Sequence, residues 1–109
     1  MEYSLFEAQA DFCKSMGNAS RLQLLHTLRG GPSTVGELAQ AVGMSQAAVS
    51  RQLAALRSVG VVISQRRARE VVYQLADPKI GEVCDMVRQV LVERILKDKK
   101  MIAPASREG

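Results

Sequence analysis

The sequence predicts a mainly α-helical domain with one small β-hairpin. Apolar residues recur at helical spacing through most of the 109 residues, and the period becomes strand-like only between Val61 and Tyr73. The charge is also localised. The segment from Ser45 to Ala76 contains five arginines and one acidic residue. This local excess of positive charge equals the whole formal charge of +4. The expected element order is four helices, two strands and a fifth helix.

The first two helices are predicted from apolar spacing and from the residues that stop them. The first is expected over about Glu2 to Met16, because one side of its helical wheel carries Leu5, Phe6, Phe12, Cys13 and Met16. Gly17-Asn18 ends it. The second carries Leu22, Leu25 and Leu28 at helical spacing and ends at Gly30-Gly31-Pro32.

Two short helices follow, joined by Gly43-Met44-Ser45. Thr34 and Glu37 form a T-x-x-E capping box, which opens a third helix with an inward stripe of Val35, Leu38 and Val42. Ser45 is expected to cap a fourth helix that ends at Val59-Gly60 and buries Val49, Leu53 and Leu56. Two helices with so short a link predict a helix-turn-helix.

The hairpin and the last helix complete the domain. Val61-Val62-Ile63 and Val71-Val72-Tyr73 predict two strands, and the polar segment from Ser64 to Glu70 predicts a long basic tip between them. Asp77-Pro78 supplies the start of a helix that continues to about Lys97. Its apolar stripe is Ile80, Val83, Cys84, Val87, Val90, Leu91 and Ile95. We expect one domain over residues 1–98 and a flexible tail over 99–109.

The outer surface of the fourth helix has the side chains that a DNA groove admits. With its stripe buried, the outward residues are Gln46, Ala47, Ser50, Arg51 and Ala54. Short and polar groups allow close approach to a major groove about 12 Å wide. Arg66, Arg67 and Arg69 on the hairpin could reach flanking phosphates or the minor groove. A basic run alone can also serve only solubility, but these elements in this order favour a winged helix-turn-helix that binds DNA.

The segment from Met16 to Leu75 resembles the ArsR/SmtB bacterial repressors. The similarity is carried by residues 16–25, by Val35-Gly36-Glu37-Leu38-Ala39, by residues 45–57 and by residues 71–75. The resemblance implies a homodimer built from the first and last helices, which binds an inverted-repeat operator in double-stranded DNA and is released by an effector. It also implies base contacts within residues 45–52. The predicted DNA contacts are therefore Ser45, Gln46, Ala47, Ser50, Arg51, Gln52, Arg57, Arg66, Arg67 and Arg69.

The sequence departs from the family pattern at two places. Ala68 stands where the family commonly has a glycine at the wing tip. The third helix has no Cys-x-Cys, since Glu37-Leu38-Ala39-Gln40-Ala41 occupies that position, and the last helix has no histidine. A zinc or nickel sensor of the usual kinds is disfavoured, and we predict no metal site and no cofactor.

Cys13 and Cys84 are the candidate effector thiols. They lie on the first and last helices, which pack together in the resembled fold. Two thiolates could form a regulatory disulfide or persulfide link, or bind a thiophilic ligand such as arsenite. Each cysteine could equally be a small buried hydrophobe. Together with His26 the two cysteines offer three soft or borderline ligands per protomer, fewer than a closed tetrahedral zinc site requires.

Other function classes receive less support. The sequence lacks a strand-to-helix elbow for a nucleophile and a glycine-rich loop that could bind phosphate, so an enzyme is disfavoured. The sequence has no run of about 18 apolar residues, which a membrane span would need. We therefore expect a cytoplasmic protein. Two alternatives remain open: a winged helix that binds proteins, since a fold does not fix a function, and a constitutive DNA-binding regulator without an effector.

Overall fold

The fold is known from a computed structural model, which describes the backbone of residues 3–108 and the side chains of residues 3–98. Within this range the mainly α-helical fold with a winged helix-turn-helix order is confirmed. The elements are α1 (Leu5–Met16), α2 (Ala19–Leu28), β1 (Ser33–Thr34), α3 (Val35–Val42), α4 (Gln46–Ser58), β2 (Val62–Arg67), β3 (Glu70–Leu75) and α5 (Pro78–Glu108).

Side-chain caps fix the starts of the first four helices. Thr34 and Ser45 cap α3 and α4 as predicted, and the Thr34–Glu37 capping box is complete. Asn18 caps α2. A second capping box joins Ser4 to Glu7, so α1 begins at Leu5 rather than near Glu2, which itself lies outside the described residues. The two oxygens of each box satisfy backbone N–H groups that a helix start leaves without partners.

The last helix is longer than predicted. Its backbone is helical from Pro78 to Glu108, beyond the end expected near Lys97. Asp77 accepts a hydrogen bond from the Lys79 N–H at 2.9 Å, which agrees with its predicted position before the first turn. The domain boundary at residue 98 and the flexibility of residues 99–109 stay predictions. No helix within the described residues is long and apolar enough to cross a membrane.

The sheet has three antiparallel strands in the order β1-β3-β2, and the first of them was not predicted. In β1, Ser33 pairs with Tyr73 and Thr34 with Val72. The predicted long basic tip is wrong, because β2 continues to Arg67, which pairs directly with Glu70. Polar residues can continue a strand where both faces of the hairpin are exposed. The turn consists of Ala68 and Arg69.

The core lies where α2, α3 and α4 meet the sheet. The predicted inward residues of α4, Val49, Leu53 and Leu56, are fully buried. They pack with residues of α2, α3 and β2 in one cluster, which also contains Leu24, Leu25, Leu28, Leu38, Ala39, Val61 and Val62. This cluster holds α4 by one side only. The opposite side of α4 therefore faces out.

The apolar stripes of α1 and α5 are largely uncovered in the single chain. No residue of α1 is buried, and Leu5 and Phe6 are 80% and 79% exposed. Among the side chains described for these two helices, only Phe12 and Met16 of α1 and Ile80 and Cys84 of α5 pack partly against the core. The exposed apolar residues of α5 with described side chains are Val83, Met86, Val87, Val90, Leu91, Val92, Ile95 and Leu96. Two helices thus carry more apolar surface than their own protomer covers.

Candidate nucleic-acid interface

The link between α3 and α4 is short and tightly hydrogen-bonded. Gly43 has a φ of 71°, in the left-handed region that ends helices. The N–H groups of Gly43 and Met44 both donate to the Ala39 carbonyl, at 2.9 and 3.1 Å. The Ser45 hydroxyl then accepts a hydrogen bond from the Ala48 N–H at 3.1 Å. These contacts set the angle at which α4 leaves α3.

The outer side of α4 carries the predicted small and polar side chains. Six exposed residues of α4, which we call the recognition face, are Gln46, Ala47, Ser50, Arg51, Ala54 and Arg57. No large apolar side chain is exposed anywhere in Gln46–Ser58, all of which is described. No acidic residue lies in the first turn, so the free N–H groups and the positive end of the helix dipole are not neutralised there. This face is suited to a polyanion.

Three of the predicted contact residues already have partners in the protein. Ser45 is exposed but caps α4 through its hydroxyl. Arg57 is exposed, and its Nη1 donates to the Ser64 hydroxyl at 2.8 Å, which ties the end of α4 to β2. Gln52 is half-buried, and its Oε1 accepts a hydrogen bond from Arg21 Nε. Gln52 is therefore the one member of the predicted set that lies off the exposed surface.

The wing, which is β2, the Ala68-Arg69 turn and β3, presents its arginines to solvent. Arg66, Arg67 and Arg69 are all exposed. Arg66 and Arg67 are consecutive in β2, so they project from opposite faces of the hairpin. Ala68 has a φ of 56°, in the region that favours glycine. The alanine thus adopts a turn conformation that a glycine would adopt more easily.

The two cysteines differ in their surroundings. Cys13 is exposed and lies at a cavity of about 440 Å³ between α1 and the start of α5. Cys84 is half-buried beside the core. Burial raises the pKa of the Cys84 thiol, Arg88 opposes this shift, Asp85 adds to it and Arg29 opposes it. Both thiols are free, and their role as effector thiols stays a prediction.

His26 is exposed on α2 and lines a shallow cavity together with Arg88, whereas Cys13 lies at a different cavity. Among the described residues, no group of three or more His, Cys, Asp or Glu is placed to hold a metal ion.

A charge cluster that we did not predict joins α2 to α5. Arg29 Nε and Nη2 donate to Asp85 Oδ2 at 2.9 and 2.7 Å, and Arg88 Nη1 donates to Asp85 Oδ1 at 2.9 Å. The hydrogen bonds from Arg88 and Arg29 hold the pKa of the Asp85 carboxyl below its ordinary value. The i,i+3 spacing of Asp85 and Arg88 was a signal available in the sequence. The contact with Arg29, which lies far away in the chain, was not.

Comparison with known proteins agrees with the winged helix-turn-helix arrangement described above. Residues 18–64 match the family described as "Bacterial regulatory protein, arsR family". The chain is 42% identical over 76 residues to the HTH-type transcriptional regulator NmtR of Mycobacterium tuberculosis, a match over 70% of this chain that spans 63% of NmtR. The HTH-type transcriptional regulator Rv0081 of the same species is 33% identical over 106 residues, which are 96% of this chain and 92% of that protein.

A solved structure extends the similarity to three dimensions. The homodimeric winged helix-turn-helix DNA-binding domain of Mb0332 from Mycobacterium bovis has a TM-score of 0.78 and 31% identity, over 84% of each chain. The segment that matches the family, residues 18–64, contains α2, α3 and α4 in full, together with the first three residues of β2. On these grounds the chain belongs to the arsR family of bacterial regulatory proteins.

Proposed function

We propose that this protein is a sequence-specific DNA-binding transcriptional regulator that acts as a homodimer. The observation that carries the proposal is the recognition face, which is exposed, small and polar, beside a wing with three exposed arginines. Gln, Ser and Arg side chains on such a helix can meet base edges, and the wing arginines can meet phosphates. The local excess of positive charge provides the attraction to DNA.

The dimer is proposed from the uncovered faces of α1 and α5. Apolar area of this extent is typical of a protein interface, and Mb0332, which is similar in structure, is homodimeric. Two copies related by a two-fold axis would place two α4 helices in successive major grooves, about 34 Å apart. The operator would then be an inverted repeat. Repression would follow from occupancy of the promoter.

The proposed function is non-enzymatic. A regulator of this kind acts on bacterial DNA, so we place the protein in the cytoplasm. Its activity requires only that the bound dimer exclude the transcription machinery. No cofactor is needed for that step.

The test is the anisotropy of labelled DNA from the gene's own upstream region, compared with scrambled DNA at the same salt concentration. We expect selective binding by the wild type. Arg51→Ala should weaken the selective complex and relax its base preference. Lys79→Ala, which removes an exposed positive charge from the start of α5, is the matched control. If Arg51→Ala leaves both affinity and preference unchanged, Arg51 is not part of the contact.

The main alternative is a winged helix that binds another protein. Protein-binding helices usually expose apolar or aromatic anchors, and α4 exposes none over Gln46–Ser58, a segment described throughout. This observation supports DNA over protein as the ligand of α4. If the wild type does not bind DNA selectively, a protein becomes the favoured ligand of α4.

Release by an effector is a further part of the proposal, with Cys13 and Cys84 as the thiols that respond. Exposure favours Cys13 as the first site of reaction, since Cys84 is half-buried and burial raises the pKa of its thiol, which lowers the share of reactive thiolate. Binding should be measured with reduced protein, with an oxidant or persulfide donor, and with arsenite. Loss of binding that Cys13→Ser or Cys84→Ser prevents would support thiol control. Binding indifferent to every treatment would favour a constitutive regulator.

A further inference from the structure

Arg21 lies where three helices of the DNA-binding domain come together. It belongs to the first turn of α2, and its backbone N–H donates to the Asn18 side chain at 3.2 Å. This cap fixes the position of the Arg21 backbone. The side chain is half-buried and leaves α2 in the direction of α1 and α4.

The guanidinium of Arg21 bridges α1 and α4. Nη1 donates to the Ser15 carbonyl at 2.8 Å, and Nε donates to Gln52 Oε1. A guanidinium is planar and holds its donors in a rigid fork. Because Nη1 and Nε belong to the same rigid group, the Ser15 carbonyl and Gln52 Oε1 are held at a fixed position and angle relative to each other.

The Ser15 carbonyl is an acceptor that needs a partner. It lies in the last turn of α1, where carbonyl groups have no partner within the helix. The neighbouring carbonyls are bonded locally, that of Lys14 to the Gly17 N–H at 3.1 Å and that of Met16 to the Asn18 N–H at 2.8 Å. Arg21 supplies the bond for Ser15. Its positive charge also suits the negative end of the α1 dipole.

Gln52 lies on the inner flank of α4. It is three residues after Val49 and four before Leu56, both fully buried, so its side chain leaves the helix next to the buried stripe. Ser50 and Arg51 are exposed on the other side. With its carbonyl oxygen bound to Arg21, Gln52 is turned towards the α1–α2 junction and away from the recognition face.

The bridge matters because α1 has few other directional contacts with the domain. No residue of α1 is buried, and its packing on the core comes from two partly buried apolar side chains, Phe12 and Met16. Apolar packing is non-directional. Hydrogen bonds from a rigid guanidinium are directional, and they connect a helix of the proposed dimer interface to the helix that enters the groove.

We propose that Arg21 is a positioning residue that sets the angle of α4 relative to α1, and that Gln52 orients the recognition face instead of contacting a base. This inference rests on the proposed function, because the angle of α4 determines the half-site spacing that a dimer accepts. It replaces the base contact predicted for Gln52 by a contact within the protein.

The first experiment needs no DNA. Amide hydrogen exchange is compared between the wild type, Arg21→Met and the control Gln23→Leu, which alters an exposed position of the same helix. Arg21→Met should speed exchange in the last turn of α1 and around Gln52, with exchange at Leu24 in the core unchanged. Equal exchange rates in the wild type and Arg21→Met would overturn the bridge. The hydrogen-exchange experiment tests the bridge even if the protein does not bind the upstream DNA. The proposal for Arg21 and the proposed DNA-binding function can therefore fail independently.

The second experiment measures operator affinity. The DNAs are the natural operator, operators with half-sites moved by one base pair, operators with single base substitutions, and scrambled DNA. We expect Arg21→Met to weaken natural operator binding by about tenfold, the scale of one charge-assisted hydrogen bond. Affinity for scrambled DNA should stay the same, and the preference for the natural spacing should fall. A loss of folding alone would not change spacing preference.

Two further variants separate positioning from direct contact. Arg21→Lys keeps the charge but has one nitrogen, which cannot serve both acceptors in the same geometry, so it should behave as Arg21→Met does. Retained affinity in Arg21→Lys would instead indicate a phosphate contact. Gln52→Leu should reproduce the loss, and the double variant should lose no more than either single variant. Additive losses, or a change in preference at one base position in Gln52→Leu only, would overturn the proposal.

Discussion

The side chain of Arg29 crosses α5 directly over Gly81. A β-carbon at position 81 would lie 2.7 Å from Arg29 Nε and closer still to Cδ, so the glycine leaves the space that the arginine fills. From there Arg29 reaches Asp85, one turn further along α5. The absence of a side chain at Gly81 is thus what allows α2 and α5 to be joined by an ion pair.

Gly81→Ala should separate Arg29 from Asp85. The new methyl group displaces the arginine, while alanine favours a helix by about 1 kcal/mol over glycine, so the net change in unfolding free energy should be small. The pKa of Asp85 should rise, because one of the two arginines that lower it is lost. Carboxyl titration by NMR measures this. Arg29→Met should give the same rise, and an unchanged pKa in Gly81→Ala would contradict the contact.

The Asp85 cluster should make stability depend on pH in the acid range. The pKa of Asp85 is lowered in the folded state, so its contribution is present above the ordinary aspartate value and is lost as pH falls through the folded value. Urea midpoints measured from about pH 6 down to about pH 3 should therefore decrease. Asp85→Asn should flatten this decrease more than Glu93→Gln, which removes an exposed carboxylate of the same helix.

Ala68→Gly should stabilise the wing. A left-handed conformation costs an alanine about 1 to 2 kcal/mol, part of which is offset by the greater freedom of glycine in the unfolded chain. We expect a gain of up to about 1 kcal/mol in urea unfolding. Ala68→Val should have the opposite sign. Ala54→Gly, the same exchange within α4, should destabilise the protein, and a destabilised Ala68→Gly would show that the turn does not strain the alanine.

Arg67→Ala should weaken DNA binding without changing sequence preference. The residue is exposed near the end of β2, where the proposed wing contact is to phosphate. Loss of one phosphate contact should reduce the slope of log affinity against log salt by about one for each protomer. Titrations of operator and scrambled DNA at several salt concentrations test this. Lys79→Ala serves as control, and an unchanged slope in Arg67→Ala would remove this arginine from the contact.

Val87→Glu should disrupt the proposed dimer. Val87 is 56% exposed in the single chain, on the apolar side of α5. A carboxylate buried there without a partner should cost about 3 kcal/mol, or about a hundredfold in the dissociation constant of the dimer. Sedimentation velocity over a concentration series measures the change. Gln89→Glu adds the same charge at an exposed polar position, and an intact dimer in Val87→Glu would place the interface elsewhere.

The sequence predicted most of the helix-turn-helix because local rules agree there. Val49, Leu53 and Leu56 follow the helical period, Ser45 is a strong cap, and Gly43 ends the preceding helix, so burial and boundaries both came out as expected. The strand β1 was missed because two residues carry no usable period. Its existence depends on pairing with β3, which is distant in the chain.

Contacts between distant polar residues were also beyond prediction from sequence. The bond from Arg21 to Gln52 and that from Arg29 to Asp85 join residues on different helices, and no spacing rule connects them. The flank position of Gln52 was accessible, since its spacing from Val49 and Leu56 places it beside the buried stripe. The tip of the wing was predicted to be too long, because strand propensities underestimate how readily polar residues continue a strand in an exposed hairpin.

Thr34 connects the wing to the helix-turn-helix. Thr34 pairs with Val72 in the sheet, and its hydroxyl accepts the capping bond from the Glu37 N–H at 3.1 Å. Bending the wing away from α3 would have to break the strand pairing, the capping box, or both. The two parts should therefore move as a rigid body. If a signal releases the protein from DNA, the hinge is expected between this body and the terminal helices, not within it.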